Sequence, residues 1–111
     1  MAPRSLIVIL GMILLVTCAS VIPKLLSNDV ERGRTLYPDL TLEQLTSGRK
    51  VYINHCGSCH ALYVPSKFSK EEWDRHLLPM ARLVKLDSAS TSDLVRYIHV
   101  AIMHDSVQPQ N

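Results

Sequence analysis

The sequence predicts a small helical domain over residues 41–107, built on three main helices, and three observations carry the prediction. Two capping boxes, Thr41-Leu42-Glu43-Gln44 and Ser69-Lys70-Glu71-Glu72, set a hydroxyl residue three positions ahead of Gln or Glu, so that the side chains satisfy free backbone donors where a helix begins. Apolar residues recur at spacings of three and four behind both boxes, and again behind Ser90-Thr91-Ser92-Asp93, which is the period of a helix face. No βαβ alternation is visible. With 111 residues the chain has room for one such domain and an N-terminal segment.

Residues 1–22 open with Arg4 and an uncharged run from Leu6 to Val16, a charged n-region followed by an apolar h-region. They read as a signal peptide or membrane anchor. Leu15-Val16-Thr17-Cys18 resembles a bacterial lipoprotein processing site, whose cysteine becomes the lipid-bearing first residue, although Thr17 stands where Gly or Ala is usual. The alternative is an uncleaved helix, because Leu6 to Ile22 lies at the short edge of the roughly 17–25 apolar residues that span a bilayer. Either way the domain is expected to be exported and membrane-anchored, on the periplasmic or extracytoplasmic face. Residues 23–40 hold Pro23, Gly33 and Pro38 among mixed charges without sustained periodicity, so they read as a flexible tether. Its r.m.s. reach would be about 20–25 Å, enough for the domain to swing between partners. Leu36, Tyr37 and Leu40 are the tether residues able to pack back on the domain.

In the first helix Leu42, Leu45, Gly48, Tyr52 and Cys56 form one stripe. Glycine inside a helix is unfavourable by up to about 1 kcal/mol, so Gly48 points to close approach by another helix. An apolar loop, Ala61 to Phe68, follows and is closed by Pro65. The second helix carries Trp73, Leu77, Met80 and Val84 on one face. Pro79 lacks an N–H and meets the carbonyl of Arg75, so the regular helix is expected to end or kink near Leu78, with Met80 at the break. After a connection from Leu83 to Ala89, Ser90 to Asp93 supply caps for the last helix, whose buried stripe is Leu94, Tyr97, Ile98, Ala101 and Ile102. Residues 108–111 are a tail.

The first stripe runs into Cys56-Gly57-Ser58-Cys59-His60. C-x-x-C-H is the attachment pattern of c-type haem: each thiol adds to one vinyl group, and the histidine that follows becomes the proximal iron ligand. The same residues admit a thioredoxin-like redox pair, which wants a βαβ setting, or half of a zinc site, which wants two further Cys or His. His76, His99 and His104 are available for the latter, with His99 and His104 in an apolar helical stretch. One covalently attached haem c would use two of the three cysteines and leave Cys18 to the leader. It would also supply the apolar centre that a modest polar domain lacks.

Gly48-x-x-x-Tyr52-x-x-x-Cys56-x-x-Cys59-His60 resembles the N-terminal helix and haem site of class I cytochromes c, and the resemblance extends over roughly residues 41–104. It implies an all-α, cytochrome c-like fold, three main helices around a covalently bound haem, and electron transfer as the usual task. It further implies that Gly48 and Tyr52 cross Leu94 and Tyr97 of the last helix, and that a carbonyl near Pro65 holds the His60 ring. Met80 resembles the family's sixth iron ligand in its order along the chain, although the stretch from His60 to Met80 is shorter than is typical. A thioether there would raise the potential by favouring ferrous iron; as core filler it would have no such role. The rivals are Met103, His76, which would give a lower-potential bis-histidine iron, and His99; His55 and His104 read as surface or partly satisfied histidines. The cofactor-binding set is thus Cys56, Cys59, His60, Met80, Pro65, Tyr52 and Trp73, with His60 and Met80 on the metal.

These features point to a one-electron carrier with a redox protein donor and acceptor, no catalytic acid or base, and no small-molecule substrate. A net charge of +2 without a basic run offers nothing to nucleic acid. Lys67, Lys70, Arg75, Arg82 and Lys85 are candidates for a basic rim that steers an acidic partner, although Glu71, Glu72 and Asp74 interrupt it. The alternatives are a haem-based gas sensor or peroxide-reactive protein with an open sixth position, for which no distal acid/base pair is apparent near Met80, and a haem c subunit of a larger oxidoreductase.

Overall fold

The computed structural model describes residues 22–107; the readings of the leader before Ile22, of Cys18 and of the tail 108–111 lie outside the described residues. The described chain is all-α, with no strand among its residues: α1 (Ser27–Gly33), α2 (Leu42–Val51), α3 (Lys70–Leu83) and α4 (Ser88–Val107), with a π-helical turn at Tyr52–Cys56 and a 3-10 turn at Pro65–Lys67. No described helix is long and apolar enough to cross a membrane.

Both capping boxes form. Thr41 Oγ1 accepts from the Gln44 N–H at 3.2 Å while Gln44 Oε1 accepts from the Thr41 N–H at 3.0 Å, and Ser69 and Glu72 repeat the exchange at 3.2 and 2.8 Å. The last helix starts earlier than expected. Asp87, rather than Ser90 to Asp93, caps it by accepting the Ser90 N–H at 2.7 Å, because a carboxylate at that position reaches a free donor of the first turn.

The largest interface joins α2 to α4. At its centre a Cβ on Gly48 would run into the Asp93 carbonyl oxygen and stand 2.6 Å from the Tyr97 Cβ, so the two helices cross backbone to backbone there. Leu45, Tyr52, Leu94, Tyr97 and Ile98 fill the crossing, each at most 1% exposed. Trp73, Leu77 and Ala81 bring α3 onto it.

Helix α3 runs through Pro79 to Leu83, so the expected end near Leu78 is corrected. Proline removes one backbone bond and adds one clash. Against that, buried Leu77 and Ala81 bracket Pro79 and hold the turn in place. The helix closes with Lys85 N–H to Arg82 O at 3.1 Å and Leu86 N–H to Ala81 O at 2.9 Å, and Lys85 takes the left-handed conformation (φ 57°) where glycine is usual.

Residues 23–40 are not a tether, which corrects the flexible reach and swing expected of them. Leu25, Val30 and Leu40 are buried in the core, and α1 lies on α4 at Gly33, where a Cβ would stand 2.7 Å from Val100. Burying aliphatic side chains at about 1.5–3 kcal/mol each gives this stretch reason to pack without periodicity of its own. Polar links reinforce it. Arg49 donates to the carbonyls of Ile22 and Pro23, both at 3.1 Å, and Tyr97 Oη donates to Pro23 O at 2.7 Å. Buried Asp29 accepts from the Leu26 N–H, Arg32 and His104 at 2.7–2.8 Å.

Candidate functional site

The π-helical turn extends α2 into the cysteine motif. Tyr52 and Cys56, four apart on one face of this segment, are both buried. Cys59 and His60 follow on the exposed turn behind them.

These residues meet α3 across an apolar cleft. Its main chamber, 240 Å³, is walled by Tyr52, Cys56, His60, Tyr63, Phe68, Trp73 and Met80, with Glu72 and His76 as its polar places. A smaller chamber of 60 Å³ shares Cys56, His60 and Met80 and adds Cys59, Leu83, Val84 and His55. Cys56, His60 and Met80 thus line both chambers, and Cys59 lines the smaller one.

The far wall is a chain of edge-to-face aromatic pairs: Tyr63 on Phe68 at 5.2 Å, Phe68 on Trp73 at 5.5 Å, and Trp73 on Tyr52 at 6.0 Å between ring centroids. Two hydrogen bonds fix it to the loop after His60. The Trp73 indole N–H donates to Pro65 O at 2.7 Å, and Tyr52 Oη donates to Tyr63 O at 2.5 Å. Burial pushes the Tyr52 hydroxyl well above its ordinary range, so it stays a donor at any physiological pH.

His60 Nδ1 lies 2.8 Å from Ala61 O. A carbonyl only accepts, so Nδ1 carries a proton, and it is Nε2 whose lone pair the neutral ring would offer to a ligand bond. The carbonyl that the cytochrome resemblance put near Pro65 is therefore corrected to that of Ala61. Pro65 lines neither chamber, and its own carbonyl is occupied by the buried indole N–H, which needs an acceptor.

The other candidates separate clearly. Met103 lines neither chamber. His99 is buried with both ring nitrogens engaged, Nδ1 by the Tyr37 hydroxyl and Nε2 by Asp74 at 2.6 Å, and His104 is bound to Asp29. His76 does line the main chamber with Met80, one turn along α3. Of the basic rim, Lys70 is paired with Asp74 at 2.7 Å.

Two rival chemistries find little support. Burial, and then Cys59, push the Cys56 thiol up, opposite to the depressed thiol of a redox pair. Among the described residues no three His, Cys, Asp or Glu side chains are grouped so as to hold a metal ion. Tyr63 and Phe68 join the site although the sequence did not single them out as site residues; their signal was the aromatic content of the loop after His60. Comparison with family models, curated proteins and solved structures returned no match.

Proposed function

We propose that this chain is a membrane-tethered mono-haem c-type cytochrome, with a cytochrome c-like fold, that carries one electron at a time between redox protein partners outside the cytoplasm. The observation that supports it is the convergence of Cys56, Cys59, His60 and Met80 on two chambers that share Cys56, His60 and Met80, the larger of them walled mainly by aromatic rings. The residues fit the group: two thiols for covalent attachment, an imidazole Nε2 for the proximal bond, and a thioether as second axial donor. Haem would supply the one-electron couple. Tyr52, Phe68 and Trp73 would exclude water from the cleft, and the Ala61 carbonyl would orient His60 and raise its basicity. The Met80 sulfur would favour the ferrous state and so a higher potential. No acid or base is needed for transfer at an exposed edge, and so the reading is of a carrier rather than an enzyme.

A second reading is favoured by one observation. Glu72, whose carboxylate also accepts the Ser69 N–H, and His76 share the chamber with Met80 as its polar groups, and a sixth position left open beside them would suit a diatomic gas or peroxide.

Optical spectra of the purified holoprotein in both oxidation states, with and without Met80→Ala, test both. A weak ferric band from Met-to-iron charge transfer, lost only in the variant, is the expected result. A low-spin spectrum unchanged by the substitution would transfer the ligand role to His76 or another histidine, and a high-spin native protein would favour the second reading.

A further inference from the structure

We infer that the face of the domain around Lys24, Arg49 and Lys50 lies on the membrane, against anionic lipid headgroups, and holds the haem cleft at a set height above them. The inference rests on the reading of the leader as a membrane attachment, and not on the cofactor.

Three observations carry it. The chain enters the domain at a fixed place: Arg49 holds the carbonyls of Ile22 and Pro23, and Tyr97 holds Pro23 as well. From Cys18 to Ile22 is four residue steps, which span no more than about 14 Å when fully extended. If lipid is carried at Cys18, or if the apolar run itself is the anchor, the entry point is held within that distance of the headgroups. With residues 23–40 packed, no slack remains beyond it.

The surface at the entry point is basic. Lys24, Arg49 and Lys50 line a 270 Å³ groove with Leu25, Leu45 and Thr46. Lys24 and Lys50 are exposed, and neither pairs with a carboxylate among the described residues. Glu43, earlier on α2, and Asp105, which with Arg49 acts on the Tyr97 hydroxyl, are opposing charges, and the three cations leave the patch net positive. Leu26 beside Lys24 is 55% exposed, and Leu42 on α2 is 40% exposed. Cationic side chains with exposed leucines at the foot of a membrane-attached chain match an anionic interface within a Debye length.

The consequence concerns the partners. Lys50 and Cys56 are six residues apart on a continuous helical segment, about 9 Å along its axis. The cleft is then carried close to the membrane, and donor and acceptor must present their own redox centres near the same surface.

The test is amine acetylation of the full-length chain bound to phosphatidylglycerol vesicles and, separately, to phosphatidylcholine vesicles, read by peptide mass spectrometry. Lys24 and Lys50 should be labelled several-fold more slowly on the anionic vesicles, with Lys67 and Lys85 unchanged, and salt should erase the difference. Lys50→Glu should return Lys24 toward its rate on the neutral vesicles. Equal rates for Lys24 and Lys50 on the anionic and the neutral vesicles overturn the inference while leaving attachment intact, whereas a chain that does not float with vesicles overturns both. Haem content, read from the absorbance of the same samples, reports independently on the cofactor.

Discussion

Gly48 sits where the two principal helices meet with no side chain between them, and its replacement isolates that contact. In Gly48→Ala the new methyl gains about 1 kcal/mol of helix propensity. It also meets the Asp93 carbonyl and the Tyr97 Cβ, neither of which is the free end of a flexible chain. Overpacking costs about 1–3 kcal/mol and here falls at the upper end, so the variant should lose about 2 kcal/mol and unfold at lower urea. An unchanged midpoint would mean that the helices separate freely. Tyr52→Phe removes the donor to Tyr63 O, and about 1 kcal/mol of stability should go with it. If the loop bond also shapes the cleft, the absorbance maximum of the proposed haem should shift, whereas an unmoved spectrum would confine the hydroxyl to a structural role. Both residues were legible because each broke a local pattern: a helix-disfavoured glycine in an apolar stripe, and an aromatic one turn beyond it. The carbonyl partner of His60 was not legible, since every residue of the loop offers a carbonyl and only three-dimensional packing selects Ala61.

At the level of elements, the sequence marked strong starts better than it marked ends and short pieces. The capping boxes at Thr41 and Ser69 are local and self-sufficient, and both formed. Helix α1 is seven residues long, begins after Leu26 without a side-chain hydroxyl cap, and has no apolar stripe, so its existence depends on the surface it covers. That surface is the second face of α4. Covering it buries Val100, while Tyr37 and Asp74 engage the buried His99; both stood outside the expected stripe of Leu94, Tyr97, Ile98, Ala101 and Ile102, of which Ile102 is only half-buried. Pro79 is the converse, a strong local signal that packing on either side overrode. Its cost remains in the folded state. Pro79→Ala restores a donor to the Arg75 carbonyl and should raise stability by about 1–3 kcal/mol, measured by urea or thermal unfolding. A fall instead would mean that the proline, which is exposed, is needed for the course of the helix around Met80.

Across the whole molecule, the segment 22–40 is fastened to the bundle partly through titratable groups, which makes its attachment depend on pH. Burial holds the His99 imidazole below its ordinary value of 6.5, outweighing the opposing pull of Asp74, so the folded protein disfavours the charged ring. The neutral ring donates from Nε2 to Asp74 and accepts the Tyr37 hydroxyl at Nδ1, joining α3, α4 and the strap before α2. Because the unfolded chain binds this proton more readily, the contribution of His99 is complete above about pH 6.5 and declines as pH falls toward its lower folded value. Asp29 follows at lower pH. Burial tends to raise its carboxyl, but the Leu26 N–H, His104 and Arg32 together hold it below 3.8, so its contribution is complete above that value and is lost on further acidification. Stability should therefore fall in two stages, first below about pH 6.5 and then below about pH 3.8. Urea midpoints measured from pH 8 to pH 3 check this. His99→Gln, which keeps a polar group but cannot titrate, should flatten the upper stage and leave the lower one; an upper stage of undiminished slope in that variant would assign the effect to another histidine.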